Sequence, residues 1–302
     1  MPDFNWSAII GAAATLAATL LGGGGAVVPL ELAVRNAGGV VAPLQFVLCC
    51  SWTLYTSWVL LKVSSLSGEG SYEAVALKTL GVAGSVSVQL LIVLNAFLIC
   101  VSVQGLFVDL IGSAIMPRPA MVLISGAVAW PVTALIRRVD RLAPLSIITA
   151  LTAVIMLGFV LARAAIGPLP APNLSPGPTG SIANRVWLDA FSTIVIGFVV
   201  QFNVLPVYQS LPGGDGSAPA AAATAHHSMM LSLTLGMALT LFLYVATEIL
   251  AYLTFGSSSY TSLLTAYTEM PGGGFATGQL GIGQLLSYPI MAHAAVTEVS
   301  KW

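Results

Sequence analysis

LLGGGGAVVPLELA, residues 20–33, places four consecutive glycines inside the first long apolar run of the chain. Glycine has low helix propensity and no side chain to pack, so four in a row weaken a helix at that point. Small residues that let membrane helices pack closely lie on one helix face, whereas four adjacent residues point all round the helix. Together with Pro29, the run therefore predicts an unwound segment, and close helix packing is the alternative.

The composition of the chain is that of a membrane protein. Of its 302 residues, 57% are hydrophobic and 7% are charged, while a soluble domain has about a quarter of its residues charged. Apolar runs recur along the chain, each near the ~20 residues that cross a hydrocarbon core. We therefore predict an all-α integral membrane protein, because a β-barrel would show short alternating segments. The net charge of −1 offers no basic surface for nucleic acid.

The apolar runs predict about eight membrane spans. Lys and Arg in the short loops, above all RRVDR at 137–141, favour a cytoplasmic N-terminus. On that topology a connection rich in proline and glycine, residues 166–186, lies outside. The spans are expected near residues 8–34, 40–61, 82–115, 120–136, 144–165, 187–211, 228–255 and 278–296.

The sixth span carries a second helix-breaking pattern, IGFVVQFNVLPVYQSL at residues 196–211. Gly197 and Pro206 flank two amide side chains, Gln201 and Asn203, within an otherwise apolar run. Polar side chains commonly join membrane helices, and that is the alternative interpretation. However, a transporter built from two inverted five-helix repeats would have equivalent breaks in its first and sixth helices. The positions of the two patterns therefore favour a binding site between them.

Four stretches of the chain resemble the amino acid/auxin permease superfamily, and most closely its neutral amino-acid transporters of systems A and N. Residues 22–30 are similar to the glycine-rich run that opens the family's first helix and ends in a Leu-Pro motif. SYEAVALKTLG, 71–81, is similar to the stretch after its second helix. Residues 198–211 are similar to its sixth helix, with Gln201 in place of a histidine, and AYLTFG, 251–256, is similar to the end of its seventh.

The resemblance implies a LeuT-type inverted-repeat fold of about eleven helices, of which about eight are present here. On that fold, residues 1–165 form the first repeat, 166–186 an extracellular loop, and 187–302 the start of a second repeat that looks truncated. The implied function is secondary transport of amino acids, small neutral ones, by alternating access. The membrane concerned is the plasma membrane or a vacuolar or lysosomal-type membrane.

The implied substrate is a zwitterion held between the two broken helices. On the fold, backbone amides of the glycine run face its carboxylate, and carbonyls of the sixth-helix break face its ammonium group. Amide side chains line the rest of the pocket. The candidate substrate-binding residues are Gly22, Gly23, Gly24, Gly25, Gly197, Gln201, Asn203 and Asn95.

The same resemblance puts sodium coupling in doubt. Sodium-coupled members of the family have an asparagine four residues before the first motif glycine, and that position is Ala18 here. We therefore expect coupling to protons, or no coupling, with Thr19, Ser287 and Glu248 as candidate cation-site residues. Glu248 is an acidic residue inside a span, and such residues often mark ion pathways.

Enzyme, metal and cofactor chemistry are not expected from this sequence. The three histidines are scattered and the acidic residues are isolated, which gives neither a metal-ligand set nor an acid–base pair. The alternative function is a non-transporting amino-acid sensor or scaffold on the same fold, which a large cytoplasmic tail would favour. The expected partners are the amino-acid substrate and the lipid bilayer, with no nucleic acid; protein partners are not predicted.

Overall fold

The computed structural model describes residues 5–23, 37–108, 116–135, 139–166, 186–214, 219–255 and 271–299. A short 3₁₀ helix, Val139–Leu142, precedes the fifth α-helix within these ranges. The α-helices are α1 (Trp6–Gly23), α2 (Val41–Ser67), α3 (Tyr72–Phe107), α4 (Arg118–Leu135), α5 (Ala143–Ile166), α6 (Val186–Gly197), α7 (Gln201–Ser210), α8 (Pro219–Phe255) and α9 (Gly273–Val299).

Five helical segments of the described chain are long and apolar enough to cross a membrane. This confirms the prediction of an all-helical, multi-pass membrane protein, while the inverted repeats, their boundaries and the full number of helices stay predictions. Helices α1 and α4 contribute shorter apolar stretches, Trp6–Gly22 and Arg118–Ala129. The five segments are Val41–Ser67, Tyr72–Phe107, Ala143–Ile166, Ala190–Ser210 and Ala221–Thr254.

Helix α3 begins earlier than hydropathy alone predicts, at Tyr72 instead of near residue 82. Ser71 precedes the helix, and its hydroxyl accepts a hydrogen bond from the Ala74 N–H at 3.4 Å. Glu73 adds a negative charge in the first turn, where it interacts favourably with the helix dipole. Gly81 has a φ of 73° and kinks the helix. The charged residues of this first segment lower its hydropathy, which explains why the predicted span began after it.

Helix α1 packs against α5, α8 and α9. Its Leu16 and Leu20 side chains are buried in the main hydrophobic core. Glycine allows close approach to α8, since a Cβ on Gly236 would lie 2.8 Å from the Ala13 carbonyl oxygen. Close backbone approach through small residues is the usual way in which membrane helices associate. Helix α1 is therefore packed closely among three neighbouring helices.

The outward faces of α2 and α3 carry large apolar side chains. Trp52, Leu80 and Val82 are 66%, 68% and 71% exposed. In water, a contiguous apolar surface of this kind would drive aggregation. In a bilayer the same side chains face lipid tails that are as apolar as they are. The exposed surface thus agrees with the membrane assignment made from the composition.

Candidate functional site

The sixth apolar run is broken where the sequence predicts a break. Helix α6 ends at Gly197 and α7 begins at Gln201, so three residues between them, 198–200, lie outside both helices. Phe198 and Val200 are buried, at 1% and 0% exposure. Backbone polar groups at membrane depth need partners within the protein. The contacts of this break therefore identify the residues that organise it.

A buried tyrosine joins the ends of α1 and α6. Tyr244 of α8 is 1% exposed, and its hydroxyl donates a hydrogen bond to the Leu20 carbonyl at 2.6 Å. The same hydroxyl lies 3.4 Å from the Gly197 carbonyl oxygen. Its ring packs edge-on against Phe198, with centroids 5.6 Å apart. The hydroxyl has one proton, so Tyr244 donates it to the α1 carbonyl and lies beside the last carbonyl of α6.

Two further side chains support the carbonyls on either side of the break. The Thr53 hydroxyl of α2 donates to the Phe198 carbonyl at 3.2 Å. The Tyr72 hydroxyl, at the start of α3, donates to the Gln201 carbonyl. The sequence does not single out Tyr244, Thr53 or Tyr72, because a single hydroxyl in an apolar run carries no signal of its partner.

The Gln201 side chain connects the start of α7 to α2 through hydrogen bonds. Its side-chain oxygen accepts a hydrogen bond from the Val200 N–H at 3.1 Å. Its side-chain nitrogen donates to the Thr56 hydroxyl at 3.2 Å. The side chain is half-buried. These contacts are those expected of polar residues that join helices, and they place Gln201 at the break as a candidate pocket residue.

Asn203 connects three helices from the first turn of α7. It is 3% exposed, and its amide nitrogen donates to the Thr19 hydroxyl of α1 at 3.0 Å. The same nitrogen donates to the Ile290 carbonyl of α9 at 3.3 Å. Asn95, by contrast, is half-buried on α3, and among the described residues it forms no hydrogen bond with Asn203 or Gln201.

The glycine run does not unwind at its first residue. Gly22 and Gly23 are still helical and form the end of α1, which corrects the expectation that the unwound segment includes them. A Cβ on Gly22 would collide with the Ser287 side chain of α9. Gly22 is therefore a packing residue, because α9 passes too close for any larger side chain. Gly24 and Gly25 lie outside the described residues.

The hydroxyl groups of Thr19 and Ser287, which are expected near a cation, already form hydrogen bonds within the protein. Both Thr19 and Ser287 are 0% exposed. Thr19 donates to the Thr15 carbonyl at 2.8 Å and accepts the Asn203 amide. Ser287 donates to the Gln284 carbonyl at 2.7 Å. An amide N–H group thus lies against Thr19, where a cation ligand was expected.

Gln284 is a further candidate residue, and it was not predicted from the sequence. It lies on α9, is 2% exposed, and its side-chain nitrogen donates to the Leu21 carbonyl at 3.3 Å. Its side-chain oxygen is buried and has no hydrogen-bond partner among the described residues. A buried acceptor without a partner costs free energy, about 1–3 kcal/mol. Gln284 therefore offers a free acceptor beside the end of α1.

Residues 7–302 match the family model described as transmembrane amino acid transporter protein. A search of the curated proteins found no match. The matched region begins within α1 and includes every later helix of the described chain.

Proposed function

The chain belongs to the transmembrane amino acid transporter family, and we propose that it is a secondary transporter of small neutral amino acids, of the system A and N type, that works by alternating access. The observation that carries this proposal is the meeting of the α1 and α6 ends at Tyr244. Helix ends and interruptions expose backbone groups with partial charges, which bind charged groups of a substrate. An amino acid carries a carboxylate, which can accept hydrogen bonds from backbone N–H groups, and an ammonium group, which can donate to backbone carbonyls.

The side chains around these helix ends favour a neutral substrate. Gln201, Asn203 and Gln284 are polar and uncharged, and the last two are almost fully buried. A charged substrate side chain held in such a pocket would need a partner of opposite charge. We propose that the free oxygen of Gln284 accepts a hydrogen bond from the substrate ammonium group, beside the carbonyls at the end of α1.

Sodium independence is supported by Asn203. Dehydrated sodium needs several oxygen ligands, and Ala18 brings no side-chain oxygen to the position where sodium-coupled relatives have asparagine. The oxygens of Thr19 and Ile290 already accept hydrogen bonds from the Asn203 amide. We propose that this amide performs the bridging between α1 and α9 that a bound cation would otherwise perform.

Glu248 is the proposed proton carrier. It lies on α8, one helical turn after Tyr244, and is 1% exposed. Transfer of an ionised carboxylate from water to an apolar environment is costly, and acidic residues inside membrane proteins commonly take part in proton relays. Binding of a proton by Glu248 would therefore be coupled to packing around the two helix ends.

Replacing Glu248 with glutamine should remove acceleration of uptake by an inward proton gradient, because glutamine keeps the size of the side chain and cannot titrate. Exchange of labelled for unlabelled substrate should persist. The measurement is uptake into proteoliposomes with and without the gradient, and Glu69→Gln, at an exposed carboxylate, is the control. Acceleration that survives in Glu248→Gln, or that is absent from the unmutated protein, contradicts this role.

Uptake of a panel of labelled amino acids by the reconstituted protein tests the proposed function. Saturable uptake of small neutral amino acids is expected, unchanged when choline replaces sodium, with little uptake of acidic or basic ones. A steep dependence on sodium at fixed membrane potential would overturn the coupling proposal. Binding of amino acids without uptake would instead support the alternative, a sensor or scaffold. The same assay in isolated plasma membrane and vacuolar or lysosomal vesicles would identify the membrane.

A further inference from the structure

An aromatic ladder runs along the outer face of α2. Trp52, Tyr55 and Trp58 are 66%, 57% and 39% exposed. Their rings form a continuous series, with centroids 6.2 Å apart for Trp52 and Tyr55 and 6.1 Å apart for Tyr55 and Trp58. The Lys62 ammonium lies over the Trp58 ring, 5.6 Å from its centroid. The ladder therefore leads from a cation at the C-terminal part of α2 towards the middle of the helix.

Each end of the ladder opens into a different cavity. At the Lys62 end, a cavity of about 600 Å³ lies between α2, α7 and α8. Its wall includes Ser64, Ser65, His226 and His227. At the Trp52 end, a groove of about 450 Å³ lies between α2 and α6, and its lining is almost wholly apolar. One face of α2 therefore connects the polar cavity with the apolar groove.

The charges of the polar cavity favour an anion. Glu69, its acidic residue, lies 3.8 Å from the Lys78 ammonium. The Lys62 ammonium instead lies over an aromatic ring, and the two adjacent imidazoles, with centroids 6.4 Å apart, add N–H donors. Ammonium and imidazole groups are hydrogen-bond donors that bind a phosphate group.

The spacing of the two cavities matches one phospholipid. The groove is lined on α2 by residues from Leu48 to Thr53. At a rise of 1.5 Å per residue, it lies about 14–21 Å along the helix from Lys62. Half of a hydrocarbon core is about 15 Å thick, so the groove lies where an acyl chain of that leaflet ends. Basic groups between helices near the membrane surface commonly bind anionic headgroups.

We propose that this face of α2 is a binding site for an anionic phospholipid. Its phosphate-bearing headgroup contacts Lys62 in the polar cavity, one acyl chain lies along the aromatic ladder, and the chain end fills the groove beside Trp52. The leaflet is the one at the C-terminal end of α2, which is cytoplasmic on the topology predicted from the sequence. The site is separate from the helix ends where the amino acid is proposed to bind, and it does not depend on transport.

Quenching of tryptophan fluorescence by brominated lipids tests this site. The protein is reconstituted in phosphatidylcholine vesicles that contain a small fraction of phosphatidylserine or phosphatidylcholine with identical brominated acyl chains. The signal of Trp52 and Trp58 is obtained by difference from the Trp52→Phe, Trp58→Phe double variant. Because one basic residue near the surface contributes about fivefold in affinity for anionic lipid, brominated phosphatidylserine should bind about five times more tightly.

Single-residue variants make the result specific to Lys62. Lys62→Gln should abolish the preference for phosphatidylserine, whereas Arg163→Gln, at a cation that lies over the Phe159 ring of α5, should retain it. Soluble glycerol phosphate should not relieve the quenching, because it lacks the acyl chain. Equal quenching by the two lipids, an unchanged preference in Lys62→Gln, or displacement by glycerol phosphate would overturn the proposal. Protection of both tryptophans from both lipids would also overturn it and would point to a protein partner.

Discussion

Replacing Gly22 with alanine is expected to abolish most uptake by preventing α1 and α9 from packing. The added Cβ would collide with the Ser287 side chain, Cβ included. Overpacking of a buried site costs about 1–3 kcal/mol, occasionally more, and here the collision lies at the end of the helix that leads into the glycine run. The measurements are melting temperature in detergent and uptake per protein molecule in vesicles.

A compensating change and a matched control separate packing from other effects. Ser287→Gly removes the colliding atoms, so the Gly22→Ala, Ser287→Gly double variant should recover most of the melting temperature and uptake. Gly11→Ala, on the same helix, should be nearly neutral, because its Cβ would lie at an ordinary 3.6 Å from the Ala143 Cβ. A Gly22→Ala variant as stable as Gly11→Ala would show that α9 does not pass this close.

Tyr244→Phe is expected to reduce uptake at least about tenfold while the protein still inserts and folds. The change removes the hydroxyl that donates to the Leu20 carbonyl and leaves that buried carbonyl without this partner, at a cost of about 1–3 kcal/mol. The ring still fills the core beside Phe198, so packing is preserved. The loss should therefore appear in uptake per folded molecule and only modestly in stability.

Tyr55→Phe is the control for the loss of a tyrosine hydroxyl. Tyr55 is 57% exposed on the outer face of α2 and should tolerate the change with unaltered uptake. Normal uptake per molecule in Tyr244→Phe would mean that the contact between the ends of α1 and α6 is not part of the transport site. A fall in abundance that fully accounts for lost uptake would assign Tyr244 a structural role alone.

Local sequence signals predicted the break in the sixth apolar run but not the helical conformation of Gly22 and Gly23. Gly197 and the residues after it interrupt one helix, and the interruption appears in a single stretch of sequence. The role of Gly22 depends on Ser287, which is far away in the sequence, so no local pattern distinguishes a packing glycine from an unwinding one. The alternative interpretation, close packing, was the correct one for Gly22.

The contacts of the site were less predictable than its helices. Asn203 was identified as polar in an apolar run, but its partners come from α1 and α9. Gln284 lies in a mildly polar stretch, GQLGIGQLLS, where one more amide side chain is no signal of a site. Its contact with Leu21 results from tertiary packing, which no local pattern predicts. The helical start of α8 was also missed, because hydropathy placed His226 and His227 outside a span while PAAAATA has high helix propensity.

The most direct test of the transport site is the Michaelis constant for a neutral amino acid in Gln284→Leu, with Gln279→Leu as the control. Both glutamines lie on α9 and have a side-chain oxygen without a hydrogen-bond partner among the described residues, but only Gln284 donates there to the end of α1. A hydrogen bond to a charged group contributes about 1.5–3 kcal/mol. If Gln284 accepts from the substrate ammonium, its variant should raise KM at least about tenfold with unchanged abundance, while Gln279→Leu behaves as the unmutated protein. An unchanged KM in Gln284→Leu would contradict the account and place the substrate away from the end of α1.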